Sequence, residues 1–242
     1  MSMNAIFLQV EPDEFARIEA NPTLAEPLFQ PDFASPLAKF GELSKKMEER
    51  VRTAGPQLLG RALVNLDPRL REQLEQRLGG TAQQFSSGQG GDALLKLMQQ
   101  RRERAMEMTE AAKKRRPQLS LDKEWHGVHY LLCGEAEPGP SLLSKAVLGG
   151  TTLGDDDEGF SGYGPARCFK VNEVAELSKA LSQPEVESEA RARFDLAKMR
   201  KLHIYPGFRE EDVEPLLDSF RQLRDFYVDA AANGTAIVTC LV

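Results

Sequence analysis

The two ends of the chain carry apolar runs with the pattern of β-strands. Asn4–Val10 (NAIFLQV) is short and rich in branched and aromatic side chains, which favours a strand over a helix. Thr235–Val242 (TAIVTCLV) is apolar on both faces, as is typical of a strand inside a sheet that is covered on both sides. Pro165–Val171 is predicted to be a further strand. We therefore expect the strands near both termini to meet in one mixed β-sheet flanked by helices, which is an α+β fold.

A helical pattern lies in the segment that contains the only tryptophan. Ser120 can cap its start, Asp122 suits the positive end of a helix, and Gly134 supplies the stop. The apolar face recurs at helical spacing, at Leu121, Trp125, Val128 and Leu132. The size of the Trp125 side chain favours packing in the core, whereas in an exposed position it would be a binding residue.

Further helices are predicted in the carboxy-terminal half. Ser141 is expected to cap Leu142–Leu148, Asn172 to cap the helix after the Pro165–Val171 strand, and Pro184 to begin another helix. The last helix has the longest apolar stripe, which comprises Val213, Leu216, Leu217, Phe220, Leu223, Tyr227 and Ala230. From these stripes and from the two-sided final strand, the residues expected to be largely buried are Trp125, Phe220, Ile237 and Val238.

Composition changes after the first strand and helix. Four prolines between Asn21 and Pro36 interrupt regular structure, so this part is predicted to be a loop on the surface. Beyond it, amphipathic segments with leucines at helical spacing are separated by glycine-rich stretches. The predicted organisation is a core strand, helix and loop in residues 1–36, a helical insertion in residues 37–118, and the remainder of the α+β core in residues 119–242.

Short stretches of the chain carry a resemblance to a known family. They are LDKEWH at residues 121–126, SKAVLG at residues 144–149 and IYPG at residues 204–207, and the Met3–Val10 segment fits as well. On these stretches the chain resembles the YfbM-like family of bacterial proteins, domain of unknown function 1877. The resemblance leaves out roughly residues 31–118, where family members are shorter. It implies a mixed α+β fold and brings no catalytic residues.

Charge and cysteine usage narrow the expected partners. The net charge of −6 disfavours general binding to a phosphate backbone, so nucleic acid is not an expected partner. No apolar run is long enough for a bilayer, no signal-peptide pattern is present, and no motif calls for a cofactor. Cys133, Cys168 and Cys240 form no CxxC pair, which predicts unpaired thiols in a reduced, cytoplasmic protein.

A basic stretch within the helical segment contains Arg101, Arg102 and Arg104. Such a face suits an anionic partner, but glutamates are interleaved with the arginines and aromatic residues for base stacking are absent. We therefore expect these arginines to contact a protein partner rather than nucleic acid. The alternative is a solvated helix whose cationic end complements its own dipole.

The segment Gly149–Gly164 is a glycine-rich, acidic loop with six glycines. Such loops closely approach a ligand or a neighbouring backbone. Its carboxylates suit a hard cation such as calcium, but the alternating ligands of an EF-hand are absent and consecutive side chains point in different directions. A solvated loop available for binding is favoured, and no metal site is predicted. The acidic residues concerned are Asp155, Asp156, Asp157 and Glu158.

The three histidines are His126, His129 and His203. The H-E-x-x-H spacing is absent, so structural histidines are favoured over a zinc site, although the first two lie close enough on a helix to share a ligand. His129 is a candidate general base, with Tyr163 or Arg167 binding a substrate. Cys133, four residues after His129, gives a less specific cysteine–histidine pair, because this spacing also fits packing.

Two classes of function remain. The first is a non-catalytic intracellular module that binds a protein partner, such as an immunity-type or regulatory protein that neutralises it. This class fits the acidic balance and the lack of a catalytic signature, and it is favoured. The second is an enzyme of unknown reaction on a small molecule, with a pocket between the Trp125 helix and the Gly149–Gly164 loop. A pocket that converges on His129, Tyr163 and Arg167 would favour the enzyme.

Overall fold

The computed structural model describes residues 3–29, 116–154 and 163–242, together with residues 96, 99–100, 102–103 and 106–107, which are helical. By its packing the chain divides into one unit formed by Met1–Phe29 and Arg115–Val242 and a second unit formed by Gln30–Lys114. The fold below is that of the first unit. Apart from the isolated helical positions, the helices predicted between residues 37 and 115 lie outside the described residues.

Five strands form one sheet in the order β2-β1-β5-β4-β3. Every pairing of neighbours in the described residues is antiparallel, although a mixed sheet was expected. The α+β class is confirmed, and so is the meeting of the terminal strands. The strands are β1 Ala5–Val10, β2 Gln118–Ser120, β3 Thr151–Thr152, β4 Arg167–Phe169 and β5 Ala236–Leu241.

The pairing of β1 with β5 is the longest in the sheet. Six residue pairs run from Ala5 opposite Leu241 to Val10 opposite Ala236. Beyond them, the amide of Asn4 donates to the carbonyl oxygen of Val242 at 2.8 Å, and the reciprocal bond is 2.9 Å long. The side chains of β5 are buried on both faces of the sheet, as its apolar pattern predicts.

Eight helices accompany the sheet in the described residues. They are α1 Pro12–Ala20, α2 Glu26–Phe29, α3 Trp125–Cys133, α4 Leu142–Leu148, α5 Val171–Leu181, α6 Pro184–Arg193, α7 Leu196–Lys201 and α8 Val213–Asn233. Short 3₁₀ helices occupy Pro22–Leu24, Asp122–Glu124 and Glu210–Asp212. None of the helices in the described ranges is both long and apolar enough to cross a bilayer.

The core is organised on α8, which packs against α5. Leu216, Leu223 and Tyr227 on its inner face are completely buried, and the Tyr227 hydroxyl donates to the carbonyl oxygen of Ala146 at 2.9 Å. Burial raises the pKa of Tyr227 well above its usual range, so the phenol stays a neutral donor. The predicted burial is confirmed for Trp125, Phe220, Ile237 and Val238, none of which is more than 5% exposed.

One buried polar side chain joins β1 to the end of α8. Gln9 is 4% exposed, and its amide nitrogen donates to the carbonyl oxygen of Phe226 at 3.5 Å. The hydroxyl of Thr235 donates to the Gln9 side-chain oxygen at 3.3 Å. Because a buried amide is costly without partners, these bonds are what make a glutamine tolerable inside an otherwise apolar strand.

Three local predictions were wrong. The Asn21–Pro36 segment is not all loop, since Pro22–Leu24 and Glu26–Phe29 are short helices and proline is tolerated in a first turn. Asn172 does not cap α5, because the helix starts one residue earlier, where the Lys170 amide donates to the Glu173 carboxylate at 2.8 Å. The central α-helix begins only at Trp125, after the 3₁₀ helix Asp122–Glu124.

Gly150, just before β3, lies very close to the backbone of β4. Its φ is +92°, and a Cβ atom there would lie 2.7 Å from the carbonyl oxygen of Cys168. Gly207 has a similar φ of +100° but no described atom within 4 Å of the same position. Both alanine substitutions incur backbone strain of about 1–2 kcal/mol. Gly150→Ala should lose about 1–3 kcal/mol more, because the neighbouring backbone must move.

Urea unfolding of the two variants measures this difference directly. Gly207→Ala is the matched control, because it has the same backbone strain and no close described neighbour. Equal losses of unfolding free energy in the two variants would show that the approach of Gly150 to Cys168 does not constrain the sheet.

Candidate functional site

Helix α3 carries the residues that the sequence singled out, and it is buried over most of its length. Trp125 is 5% exposed, and its Nε1 donates to the carbonyl oxygen of Met3 at 3.2 Å. The indole stacks on His126 with ring centroids 4.8 Å apart, and it lies 6.2 Å from the ring of Tyr205. Trp125 therefore packs in the core and ties α3 to the start of the chain, which leaves little of it for an incoming partner.

Both ring nitrogens of His126 are engaged. Nε2 lies 3.1 Å from the carbonyl oxygen of Ala136 and donates to it, while the amide of Tyr205 donates to Nδ1 at 3.0 Å. These two bonds define the neutral tautomer with the proton on Nε2. Burial lowers the pKa of His126, and the Ala136 hydrogen bond and the Glu137 carboxylate offset that effect only in part. His126 cannot bind a further ligand without giving up one of these bonds.

His129 is fully buried, and its Nε2 lies 3.4 Å from the Sγ atom of Cys133. Its Nδ1 has no hydrogen-bond partner among the described atoms. Burial lowers the pKa of His129 to about 4, with the backbone of Glu137 opposing the shift and His126 adding to it. The imidazole is therefore neutral at physiological pH, and a substrate cannot reach it in this conformation.

The His129–Cys133 contact has the spacing of a catalytic pair but not the electrostatics. The thiol also approaches the carbonyl oxygens of His129 and Glu135, at 3.2 and 3.6 Å. Burial raises the pKa of Cys133, although the cations of Arg193 and Lys198 lower it. A nucleophilic cysteine requires a thiolate, which is favoured by a depressed pKa and a cationic histidine. Here both groups stay neutral, so the contact is one of packing.

The other candidate residues are divided between described and undescribed parts of the chain. Arg167 lies in β4, and its guanidinium donates to the carbonyl oxygen of Gly150 at 3.1 Å. Tyr163 is partly buried, and Arg102 is helical. In the described part of the chain, no three His, Cys, Asp or Glu side chains could hold a metal ion together. The candidates outside the described residues are Arg101, Arg104, Asp155, Asp156, Asp157 and Glu158.

An open, polar cleft of about 550 Å³ lies beside the residues that lead into α3. The 3₁₀ helix Asp122–Glu124 forms one wall, and Ser219 and Gln222 of α8 contribute the facing side chains. Its volume is in the range of ligand sites, but its lining is far more polar than that of a typical small-molecule pocket. The complete lining is Asn4, Ser120, Leu121, Asp122, Lys123, Glu124, Ser219 and Gln222.

The wall of this cleft is built around Asp122, whose φ is +42°. Left-handed backbone is uncommon outside glycine, and aspartate is among the residues that tolerate it. The hydroxyl of Ser120 donates to the Asp122 carboxylate at 2.8 Å and accepts from the Asp122 amide at 3.3 Å. Next along the chain, Glu124 accepts a hydrogen bond from the buried hydroxyl of Ser219. These bonds hold two carboxylates at an open surface that Lys123 also lines.

Sequence reasoning did not predict this cleft. The expected pocket was centred on His129 and the Gly149–Gly164 loop, whereas the cleft joins residues from the amino terminus, the 3₁₀ helix and α8. The available signal was the Ser120–Asp122 pair, which the sequence assigned to helix capping. The pair does hold the local backbone, but the same geometry also presents the carboxylate to solvent.

Comparison with known proteins gives a family without an assigned activity. The model of the family described as "Domain of unknown function (DUF1877)" matches residues 1–240. A solved structure with similarity to the chain is YfbM from Escherichia coli, a protein of unknown function. The two are 26% identical, the match covers 60% of this chain and 92% of YfbM, and the TM-score is 0.44. No curated protein matches the chain.

The burial of His129 predicts acid sensitivity of the fold. The folded protein holds this imidazole neutral down to about pH 4, whereas in the unfolded chain it takes up a proton below about pH 6.5. Its contribution to stability is therefore complete above about pH 6.5 and is lost as the pH falls toward about 4, with a total of about 3 kcal/mol. Urea unfolding across this pH range should show a smaller loss in His129→Gln than in the parent.

His203→Asn is the control, because His203 is exposed and asparagine tolerates its φ of +55°. That variant should keep the pH dependence of the parent. A His129→Gln variant that loses stability as steeply as the parent would show that His129 is not the source of the acid sensitivity.

Proposed function

The chain belongs to the DUF1877 family, a domain of unknown function, and from this starting point we propose that it is a non-catalytic module that binds a protein partner. The observation that carries the proposal is the open polar cleft beside Asp122. An open, charged surface suits side chains projecting from another protein better than it suits a small molecule that must be enclosed.

The state of the reactive side chains supports a non-catalytic role. His126 uses both ring nitrogens within the fold, and His129 has no exposed surface. Cys133 contacts a neutral imidazole and its pKa is raised, so its thiolate is disfavoured. The contact between His129 and Cys133 is the feature that favours the alternative, an enzyme on a small molecule. That alternative requires α3 to open before substrate could reach His129.

The charge around the cleft supports a partner with a basic surface. The exposed face of α8 carries carboxylates at helical spacing, and Gln222 on the same face reaches the cleft. Three of these carboxylates are partly compensated by arginines, in the pairs Glu214–Arg191, Asp218–Arg221 and Asp225–Arg224. The whole chain nevertheless has a net charge of −6, which accelerates and orients encounter with a cationic protein. The face comprises Glu214, Asp218, Gln222, Asp225 and Asp229.

Within this proposal, an immunity-type or regulatory role is the finer hypothesis. Proteins that act on nucleic acids or nucleotides have basic active sites, and an acidic protein can neutralise them by covering that surface. A cytoplasmic location belongs to the same hypothesis, supported by three cysteines of which none is in a disulfide. The arginines of the helical segment are a second proposed contact surface, represented in the described residues by Arg102.

Asp122→Asn is the test of the cleft. Asparagine keeps the left-handed backbone and the shape of the side chain, so folding should be unchanged. The loss of one interfacial charge should weaken partner binding about tenfold at low salt, which corresponds to about 1.4 kcal/mol. The measurement is capture of partners from a native cell lysate, followed by titration of the purified stoichiometric partner by calorimetry.

Glu176→Gln is the matched control, since it removes one exposed carboxylate from α5, outside both the cleft lining and the acidic face of α8. Its partner affinity should stay close to that of the parent. Equal affinities for Asp122→Asn and the parent would remove the cleft from the binding site. If Cys133→Ser abolished turnover of a metabolite pool while partner capture found nothing stoichiometric, the enzyme would replace the binding module.

A further inference from the structure

Three segments that are distant in the sequence meet at the His126 ring. His126 itself lies in the first turn of α3, Ala136 belongs to the loop that follows α3, and Tyr205 lies in the turn between α7 and α8. We call this set of residues, His126, Ala136 and Tyr205, the His126 junction. Only one tautomer of a neutral imidazole satisfies both of its hydrogen bonds, because Nε2 must donate while Nδ1 must accept.

We propose that the His126 junction is an acid-sensitive switch in which one proton, taken up at Nδ1, releases the Tyr205 turn from α3. In the neutral ring the lone pair of Nδ1 receives the Tyr205 amide at 3.0 Å. In the protonated ring the same position carries an N–H group that faces the donor amide, so the bond is lost and replaced by repulsion. The bond from Nε2 to Ala136 survives, since both forms donate from that atom.

The released part is local, because the chain before Tyr205 is held independently. The amide of Ile204 donates to the carbonyl oxygen of Met199 at 3.0 Å, and the Ile204 side chain is 4% exposed. Beyond Tyr205 the turn continues through Pro206 to Gly207, whose φ is +100°. Loss of the junction therefore frees the turn from Tyr205 to Gly207 without detaching α7, because Phe208 keeps its packing against Gly127 of α3.

Release of the Tyr205 turn would also change the surroundings of Trp125 and of the amino-terminal segment. The Tyr205 hydroxyl accepts a hydrogen bond from the Met3 amide at 3.4 Å, and the Met3 carbonyl accepts from the indole of Trp125 at 3.2 Å. Tyr205 and His126 both lie against the Trp125 ring. When the Tyr205 turn leaves, water gains access to an indole that is 5% exposed in the closed form.

The charged and titratable groups around His126 set the pH range of the switch. The carboxylate of Glu137, from the loop after α3, favours the protonated ring but is outweighed by burial, so the pKa of His126 is lowered. On α3, the neutral ring of His129 lies 6.5 Å away. From the facing turn Tyr205 contacts the His126 ring through its backbone amide, and its hydroxyl is bonded to the Met3 amide. The transition is therefore expected below the ordinary histidine range of about pH 6.5.

Because Trp125 is the only tryptophan, its fluorescence reports on this site alone. Intensity is a poor measure, since a charged imidazole stacked on the indole quenches it directly. Quenching by acrylamide, which requires access from solvent, distinguishes opening from proton uptake. In the parent, the acrylamide quenching constant should rise several-fold as the pH falls below about 6.5, while far-UV circular dichroism still shows the folded protein.

Two variants assign this change to His126. In His126→Asn the side-chain oxygen can accept from the Tyr205 amide in place of Nδ1 but cannot take up a proton in this range, so the rise should be absent. His129→Gln removes the neighbouring imidazole and should retain the rise. The proposal is overturned if His126→Asn shows the same rise as the parent. It is also overturned if access in the parent increases only together with global unfolding.

A measurement on the parent alone keeps the proposal testable if His126→Asn does not fold. Amide hydrogen exchange by NMR should show the Tyr205 amide losing protection as the His126 ring becomes protonated, while the Ile204 amide stays protected by Met199. Full protection of the Tyr205 amide alongside a protonated His126 ring would contradict the switch.

Discussion

The desolvation of α3 is the constraint on which the rest of the structure depends. Most side chains of this helix are buried, including that of Trp125, and His126 in the first turn is partly buried. Burial of such groups is costly unless they are neutral and hydrogen-bonded. The surrounding segments supply the partners: Met3 accepts from the indole, Ala136 and Tyr205 engage His126, and Arg193 donates to carbonyl oxygens at the end of the helix. The position of these segments follows from what α3 requires.

The sequence was sufficient to predict a helix or strand where that element is long and its burial pattern is regular. β1, β5 and α8 each extend over six residues or more with a consistent apolar face, and all three were predicted. β2 and β3 contain only three and two residues, too few to show a period, and they exist because β1 and β4 offer them a pairing edge. The start of α5 was also mispredicted, because two nearby side chains can cap it. The Glu173 carboxylate, rather than the Asn172 side chain, fixes the first turn.

The candidate site could be predicted only in part, for a related reason. The sequence identified Trp125, His126 and His129 as neighbours on one helix, and they are. It could not show that the two histidines are neutral and enclosed, because the enclosing groups come from the loop after α3 and from the Tyr205 turn. The cleft was beyond reach, since Asn4, Asp122 and Gln222 are separated by long stretches of chain. A charged turn forms a binding cleft only when the fold places other residues opposite it.

The adjacency of β1 and β5 has a consequence for how the molecule reaches this structure. The two strands are separated by the long stretch of sequence between Val10 and Ala236, so this stretch and β5 must be synthesised before β1 can pair with β5. Contacts this remote in sequence carry a large loop-closure cost and slow the search for the native topology. Phe7 and Leu8, buried in the finished sheet, remain without their final partners throughout that interval. On the ribosome β1 is therefore an aggregation-prone segment until β5 has been synthesised.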